Sequence, residues 1–291
     1  MVNSKKIAKG KGGKKAPRKE KAAKTKPEKK PKPAAGQNRK PAAKHAAKKP
    51  AIVLPKIPAK APSVEKSFDE IAEDWDSKRQ EPSSPMPVFL GTLKRFLRGN
   101  YYGVRVLDIG CGNARNAAYL VRELRFATVA CADVSQNMLL QAQKTAIKYN
   151  LPHSIQFSRA NAASLSFPSL SFSAAFSMAV FHHLATAQER QKAFTELYRV
   201  LRVPAIAFVT VWNSDQPKLA KYGGKKDALV SWKTPGGKTT ERYYHFFNEK
   251  ELKALAEGAG FKVLELFFEK DGKKSAKKGA ANICMVLLKS A

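Results

Sequence analysis

The sequence predicts an α/β domain on a mainly parallel sheet, and three observations support this. Beyond about residue 100, short apolar strands alternate with amphipathic helices. A glycine-rich turn, Gly110-Cys-Gly112, leads from the first strand into the helix behind it. The next strand closes on an acid, Asp133, and Ser135 can cap the helix that follows.

Charge divides the chain before any element is placed. Among 291 residues, 54 Lys and Arg stand against 23 Asp and Glu, a formal charge of +31. Residues 1–62 hold 21 of the basic residues and 2 Glu, a net of +19, leaving +12 for residues 63–291. A Lys/Ala/Pro mixture nearly free of apolar residues before Ile52 cannot bury enough surface to offset the entropy of ordering, so residues 1–62 are expected to be a disordered basic tail. Residues 63–291 have the length of one domain.

That domain opens with a helix carrying Val64, Phe68, Ile71, Ala72 and Trp75 at helical spacing, with Ser67 to Glu70 reading as a capping box. After the proline-rich break at 82–87, Phe89, Leu90, Leu93, Phe96 and Leu97 mark a second helix. Strands are expected near 104–109, 128–132, 154–157, 174–179, 205–212, 261–269 and 283–289. Helices are expected near 114–124, 136–150, 187–201 and 249–258, the last two capped at Thr186 and Asn248. A basic, aromatic insertion fills 213–247. The longest apolar run, near 204–212, is too short for the roughly 18 residues of a membrane span. Cys111, Cys131 and Cys284 are odd in number and far apart, which argues against a disulfide framework or a zinc site and for a reducing compartment.

The strand ends carry the chemistry. Asp108 ends an apolar strand, Gly110 and Gly112 let backbone approach a ligand closely, and the next helix turns its free N–H groups toward the same place. A dinucleotide fingerprint would need a third glycine at Arg115, so that reading fails. Asp133 can accept both hydroxyls of a ribose. Asn161, beside Ala162 after the third strand, offers the donor and acceptor that an adenine edge requires. Three strand ends together describe adenosine.

Leu107-Asp-Ile-Gly-Cys-Gly-Asn113, Asp133-Val-Ser135 and the strand running into Phe181-His-His-Leu184 resemble the class I S-adenosylmethionine-dependent methyltransferases. Phe68 to Glu73, Arg79, Ser177 to His183, Val230-Ser-Trp232 and Arg242-Tyr-Tyr-His-Phe246 resemble one group of them, the tRNA methyltransferase 9 family, which methylates 5-carboxymethyluridine at the wobble position. The resemblance implies a Rossmann-like sheet of seven strands, the last antiparallel, with helices on both faces. It assigns S-adenosyl-L-methionine to Asp108, Gly110, Cys111, Gly112, Asn113, Asp133, Val134, Asn161, Ala162 and Met178. For the acceptor, Arg242 or Arg79 would hold a carboxylate or an adjacent phosphate, Tyr243 and His245 would shape the pocket, and His182 or His183 would lie beside the transferable methyl. Ala114 stands where relatives carry a third glycine.

Further expectations concern partners. The insertion has a net charge of +4 with Tyr222, Trp232, Tyr243 and Tyr244 interleaved, and Lys270 to Lys278 forms a second basic loop. Basic groups that meet phosphates beside aromatics that stack bases suit tRNA. The resemblance also implies a small zinc-binding activator subunit pairing with a sheet edge from Ser154 to Phe157. A cytoplasmic location is expected, with the Lys-rich tail serving as a generic RNA-binding arm or a nuclear-targeting segment. Two rival readings share the same glycine turn: a methyltransferase acting on a small molecule or lipid quinone, and a non-catalytic nucleic-acid-binding protein with a degenerate fold.

Overall fold

The computed structural model describes residues 63–125 and 127–291; the tail expected at 1–62 lies outside them. The elements are α1 (Val64–Ser77), α2 (Met86–Leu97), β1 (Arg105–Ile109), α3 (Arg115–Glu123), β2 (Thr128–Asp133), α4 (Gln136–Lys148), β3 (Ile155–Arg159) and β4 (Phe172–Met178). They continue with α5 (Ala187–Val200), β5 (Leu201–Trp212), β6 (Asp227–Lys233), β7 (Thr239–His245), α6 (Glu249–Gly258), β8 (Lys262–Lys270), β9 (Lys273–Ser275) and β10 (Asn282–Lys289).

The main sheet has eight strands in the order β3-β2-β1-β4-β5-β10-β8-β9. Neighbours from β3 to β5 run parallel, and β10 lies antiparallel between β5 and β8. The chain winds outward from β1 in one direction and from β4 in the other, which opens a crevice at the carboxyl ends where the order reverses. Strand alternation feeds two cores. β1 sends Val106 to one face, with Phe89, Phe176 and Phe208, and Leu107 and Ile109 to the other, with Phe181, Phe194 and Leu252. Helix α2 anchors the first core through Phe89, whose ring centroid lies 5.3 Å from those of both Phe176 and Phe208. The three cysteines are buried thiols.

Several local expectations need correction. Helix α1 starts four residues before the anticipated box: the Ser63 hydroxyl accepts from the Lys66 N–H at 3.1 Å, while Ser67 donates to the carbonyls of Ser63 and Glu241. Glu70 turns outward to accept from Thr240 at 2.8 Å instead of returning to a cap. By contrast, Thr186 and Glu189 form a complete capping box on α5. The sheet gains β9 beyond the seven expected strands, and the insertion contains an antiparallel β6–β7 hairpin forming a separate two-stranded sheet. No helix among the described residues is long and apolar enough to cross a membrane.

Helix α1 joins the hairpin to the strand ends. Its Asp69 accepts from Ser135 Oγ at 2.6 Å and from the Asn137 N–H at 3.0 Å, Asp74 from Trp232 Nε1 at 2.7 Å, and Asp76 from Asn113 at 2.6 Å. Each carboxylate holds a different element, so α1 spans the crevice as a strap.

Candidate active site

A cavity of about 920 Å³ lies at the carboxyl ends of β1, β2, β4 and β5, bounded by α1 and the hairpin. The volume falls within the range of small-molecule and cofactor pockets. Gly110, Cys111, Gly112, Asp133, Val134, Asn161, Ala162 and Met178 all line it.

The turn after β1 needs its glycines. Gly110 has φ +68° and Gly112 φ +56°, and a Cβ on Gly110 would meet Val180 at 2.4 Å. Ala114 adopts φ +59° without glycine's freedom, a conformation costing about 1–2 kcal/mol that the surrounding packing must offset. Asp133 takes the Gly112 N–H at 2.8 Å and the Ser135 N–H at 3.0 Å, one on each oxygen. Burial raises its carboxyl to about 6 despite those backbone donors. Asp108 is buried with Oδ2 lacking a partner, and burial together with nearby Asp133 holds its carboxyl well above the usual range. An orphaned buried acceptor is costly unless a ligand satisfies it. The glycine cradle and the ribose-type acid fit an adenosine-containing cofactor.

Three cofactor expectations change. Asp108 is buried and does not itself line the cavity. Asn113 does not line the cavity; its amide donates to Asp76 and to the Arg79 carbonyl at 2.8 Å, so it fixes α1 to the turn. Asn161 does line it, but its side-chain oxygen accepts from the Ala163 N–H at 2.8 Å in a local turn, leaving the amide NH2 as its free group.

At the acceptor end the two histidines occupy opposite tautomers. His182 Nδ1 accepts from the Trp212 N–H at 3.3 Å, so its proton sits on Nε2, which is buried without a partner. His183 Nδ1 donates to the Tyr243 carbonyl at 2.9 Å, leaving Nε2 as an acceptor. Burial lowers both rings, His182 well below the ordinary value and His183 to about 3. Both are therefore neutral at pH 7, one offering a donor to the cavity and the other a lone pair.

Strand β7 has period two, which decides its contribution. Arg242 and Tyr244 share the cavity face. Tyr244 stacks on His182 at 4.9 Å between centroids, and the Arg242 guanidinium lies 4.9 Å from the Trp232 ring and 5.3 Å from the Tyr244 ring. Arg242 is 5% exposed, its Nε has no partner, and it pairs with no carboxylate among the described residues. Of the two residues expected to shape the acceptor pocket, Tyr243 lines the cavity and His245 does not. The Tyr243 hydroxyl shares its one proton between Asp227 and the Ala185 carbonyl, and its main-chain carbonyl accepts from His183. His245 does not line the cavity and is held between Asp227 at 2.8 Å and Glu251 at 2.9 Å. Arg79 does line it, 4.8 Å from the Trp232 ring. Sequence reading missed Tyr244, Trp212 and Lys218 as lining residues; for Tyr244 the signal was its i+2 spacing from Arg242.

Comparison with known proteins agrees with this arrangement. Residues 106–203 match a family model described as a methyltransferase domain. A protein of Encephalitozoon cuniculi named as a methyltransferase is 31% identical over 198 residues, covering 66% of this chain and 86% of that protein. The chain belongs to the S-adenosylmethionine-dependent methyltransferases. Within them it is similar to the tRNA (carboxymethyluridine(34)-5-O)-methyltransferase of Schizosaccharomyces pombe, 27% identical over 236 residues, covering 72% of this chain and 92% of that one. A solved S-adenosylmethionine-dependent methyltransferase of Clostridium acetobutylicum shares the fold, with TM-score 0.61 at 13% identity over 77% of this chain and 99% of that chain.

Proposed function

We propose that the protein methylates tRNA, esterifying the carboxylate of a 5-carboxymethyluridine at the wobble position. The observation carrying this reading is Arg242, a buried guanidinium that pairs with no carboxylate among the described residues. An unpaired buried cation costs several kcal/mol, so the site is incomplete without an anion. The orphaned Nε2–H of His182 lines the same cavity and adds a second donor.

S-adenosylmethionine supplies an electrophilic methyl on a sulfonium. Asp133 and the glycine turn bind and orient that group in this reading, and α1 and the hairpin keep water from the crevice. The acceptor has to arrive already ionised. A phenol or hydroxyl acceptor, with a pKa near 10 or above, would need a general base. His183, at about 3, is far too weak for that, and the His182 lone pair is taken by Trp212. A carboxylate, with a pKa near 4, needs no base. Arg242 and His182 hold its oxygens, while the free Nε2 of His183 suits an N–H of the base ring. This disfavours a quinone-type acceptor, and the intact glycine turn disfavours a degenerate fold. The activity for which the Schizosaccharomyces pombe relative is named points the same way.

The same proposal takes residues 63–291 as the methyltransferase domain, residues 1–62 as a basic RNA-binding arm, and the location as cytoplasmic. An activator subunit pairing with β3 belongs here too, since that strand forms one edge of the sheet.

The test is to incubate the full chain with S-adenosylmethionine and an anticodon stem-loop carrying 5-carboxymethyluridine, then digest to nucleosides for mass spectrometry. A gain of one methyl, removed by mild alkali as an ester would be, is the expected result. An unmodified uridine, or an alkali-stable methyl, overturns the reading.

A further inference from the structure

The acceptor end holds more positive charge than one carboxylate needs. Besides Arg242, Arg79 and Lys218 line the same cavity. The Arg79 guanidinium faces the Trp232 ring at 4.8 Å and the Trp75 ring at 4.9 Å, and the Lys218 ammonium lies 3.9 Å from the Trp212 ring centroid. Among the described residues neither side chain has a hydrogen bond or ion pair, whereas nearby Arg115 donates to the Glu81 carbonyl at 2.9 Å. Desolvation and mutual repulsion lower both, with Arg79 half-buried and Lys218 exposed: Arg79 feels Arg242, partly offset by Asp74, and Lys218 feels Arg79 and Arg242. Four acids line the cavity too: Glu65 pairs with Arg159, Glu189 is engaged in the α5 cap, Asp133 in the glycine turn, and Glu81 is exposed. Trp232 and Trp212 hold the cations in place without neutralising them.

On the reading above that the acceptor is a carboxymethylated uridine, we infer that Arg79 and Lys218 form a phosphodiester subsite beside the carboxylate site. Arg242 and His182 take the carboxylate. Arg79 and Lys218 take a backbone phosphate flanking the acceptor nucleotide, so two anions of one substrate neutralise the cluster. The enzyme then distinguishes a nucleotide within a strand from a free nucleoside by charge alone, with no base-specific contact required. Lys218 belongs to the short 3-10 helix Pro217–Tyr222 of the insertion, which gives that segment a role besides covering the crevice.

Methylphosphonate substitution tests this directly, because it neutralises one phosphate and leaves its shape nearly intact. The full chain and its Lys218→Gln and Arg79→Gln variants are titrated with the carboxymethyluridine stem-loop, and with versions carrying one methylphosphonate on either side of the acceptor; methylation is followed in parallel. At one flanking position the substitution should weaken binding to the unsubstituted protein about tenfold, and to either variant less than about twofold. The salt slope of binding should fall by about 0.7 in each variant. Charge in the tail contributes equally to all three proteins and cancels in the cycle. Equal losses in all three, or no loss at either position, overturn the phosphate subsite while methylation of the unsubstituted RNA persists. Failure to methylate the unsubstituted RNA overturns the functional reading itself.

Discussion

The two ends of the cavity are built in opposite ways. At the cofactor end, backbone and short side chains from contiguous turns satisfy one another: Asp133 receives two backbone N–H groups, and Ser135 caps α4 while donating to Asp69. At the acceptor end, residues around α1, the insertion and the hairpin bring together cations and a histidine N–H that have no partner among the described residues. The first end is complete before its ligand arrives except for Asp108. The second is electrostatically strained until its ligand arrives. Stability and activity should therefore respond with opposite signs at the acceptor end and with the same sign at the cofactor end.

The largest effect expected is at Arg242. Arg242→Met should lower kcat/KM on carboxymethyluridine RNA about a thousandfold, the loss of a buried charge-assisted contact, yet raise unfolding stability by about 1–3 kcal/mol by removing an unpaired buried charge. Urea unfolding beside steady-state kinetics checks both; a destabilised variant would break the contrast between the ends. Next, Asp133→Ala should weaken S-adenosylmethionine about a hundredfold by calorimetry and also lower stability, because Gly112 and Ser135 lose their acceptor. RNA affinity should stay the same.

A smaller effect comes from pH. Asp133 binds as a carboxylate and its carboxyl sits at about 6, so the fraction ionised falls about tenfold from pH 7 to pH 5 and cofactor affinity should fall with it. For the free protein the sign reverses: a raised carboxyl contributes stability below the unfolded value near 4 that is lost as pH rises through 6. The histidines should add no step near neutral pH, because burial lowers both. The smallest effect on activity is at His245. His245→Asn should lower the melting temperature by disturbing the contacts with Asp227 and Glu251, with KM for RNA changing less than about threefold. A large rise in KM would return His245 to the acceptor pocket.

The same contrast explains what could be read from sequence. The cofactor end follows from short segments in which strand, glycine turn and cap lie within a few residues, so Asp108, Gly110, Gly112 and Asp133 were visible together. Asn113 fell in that segment too, but its amide is used by α1, thirty-seven positions away from Asp76, and local spacing carries no such information. The acceptor end depends on register. Arg242 and His245 were read as one motif, whereas a strand places residues an odd number apart on opposite faces. Applying period two to β7 would have paired Arg242 with Tyr244. Lys218 could not be recovered this way, because only the folded insertion brings it beside Arg79. The early start of α1 at Ser63 reflects a choice between two serines four residues apart, decided by Ser67 bonding to Glu241 across the fold.

The central claim is that the acceptor must arrive as a carboxylate, because neither histidine can serve as a base and Arg242 awaits an anion. It is tested most directly by comparing initial rates of methyl transfer to two otherwise identical anticodon stem-loops, one with 5-carboxymethyluridine and one with its uncharged carbamoylmethyl analogue. Methylation of the first and a rate at least about a thousandfold lower on the second is the predicted result. Comparable rates on the two would contradict it.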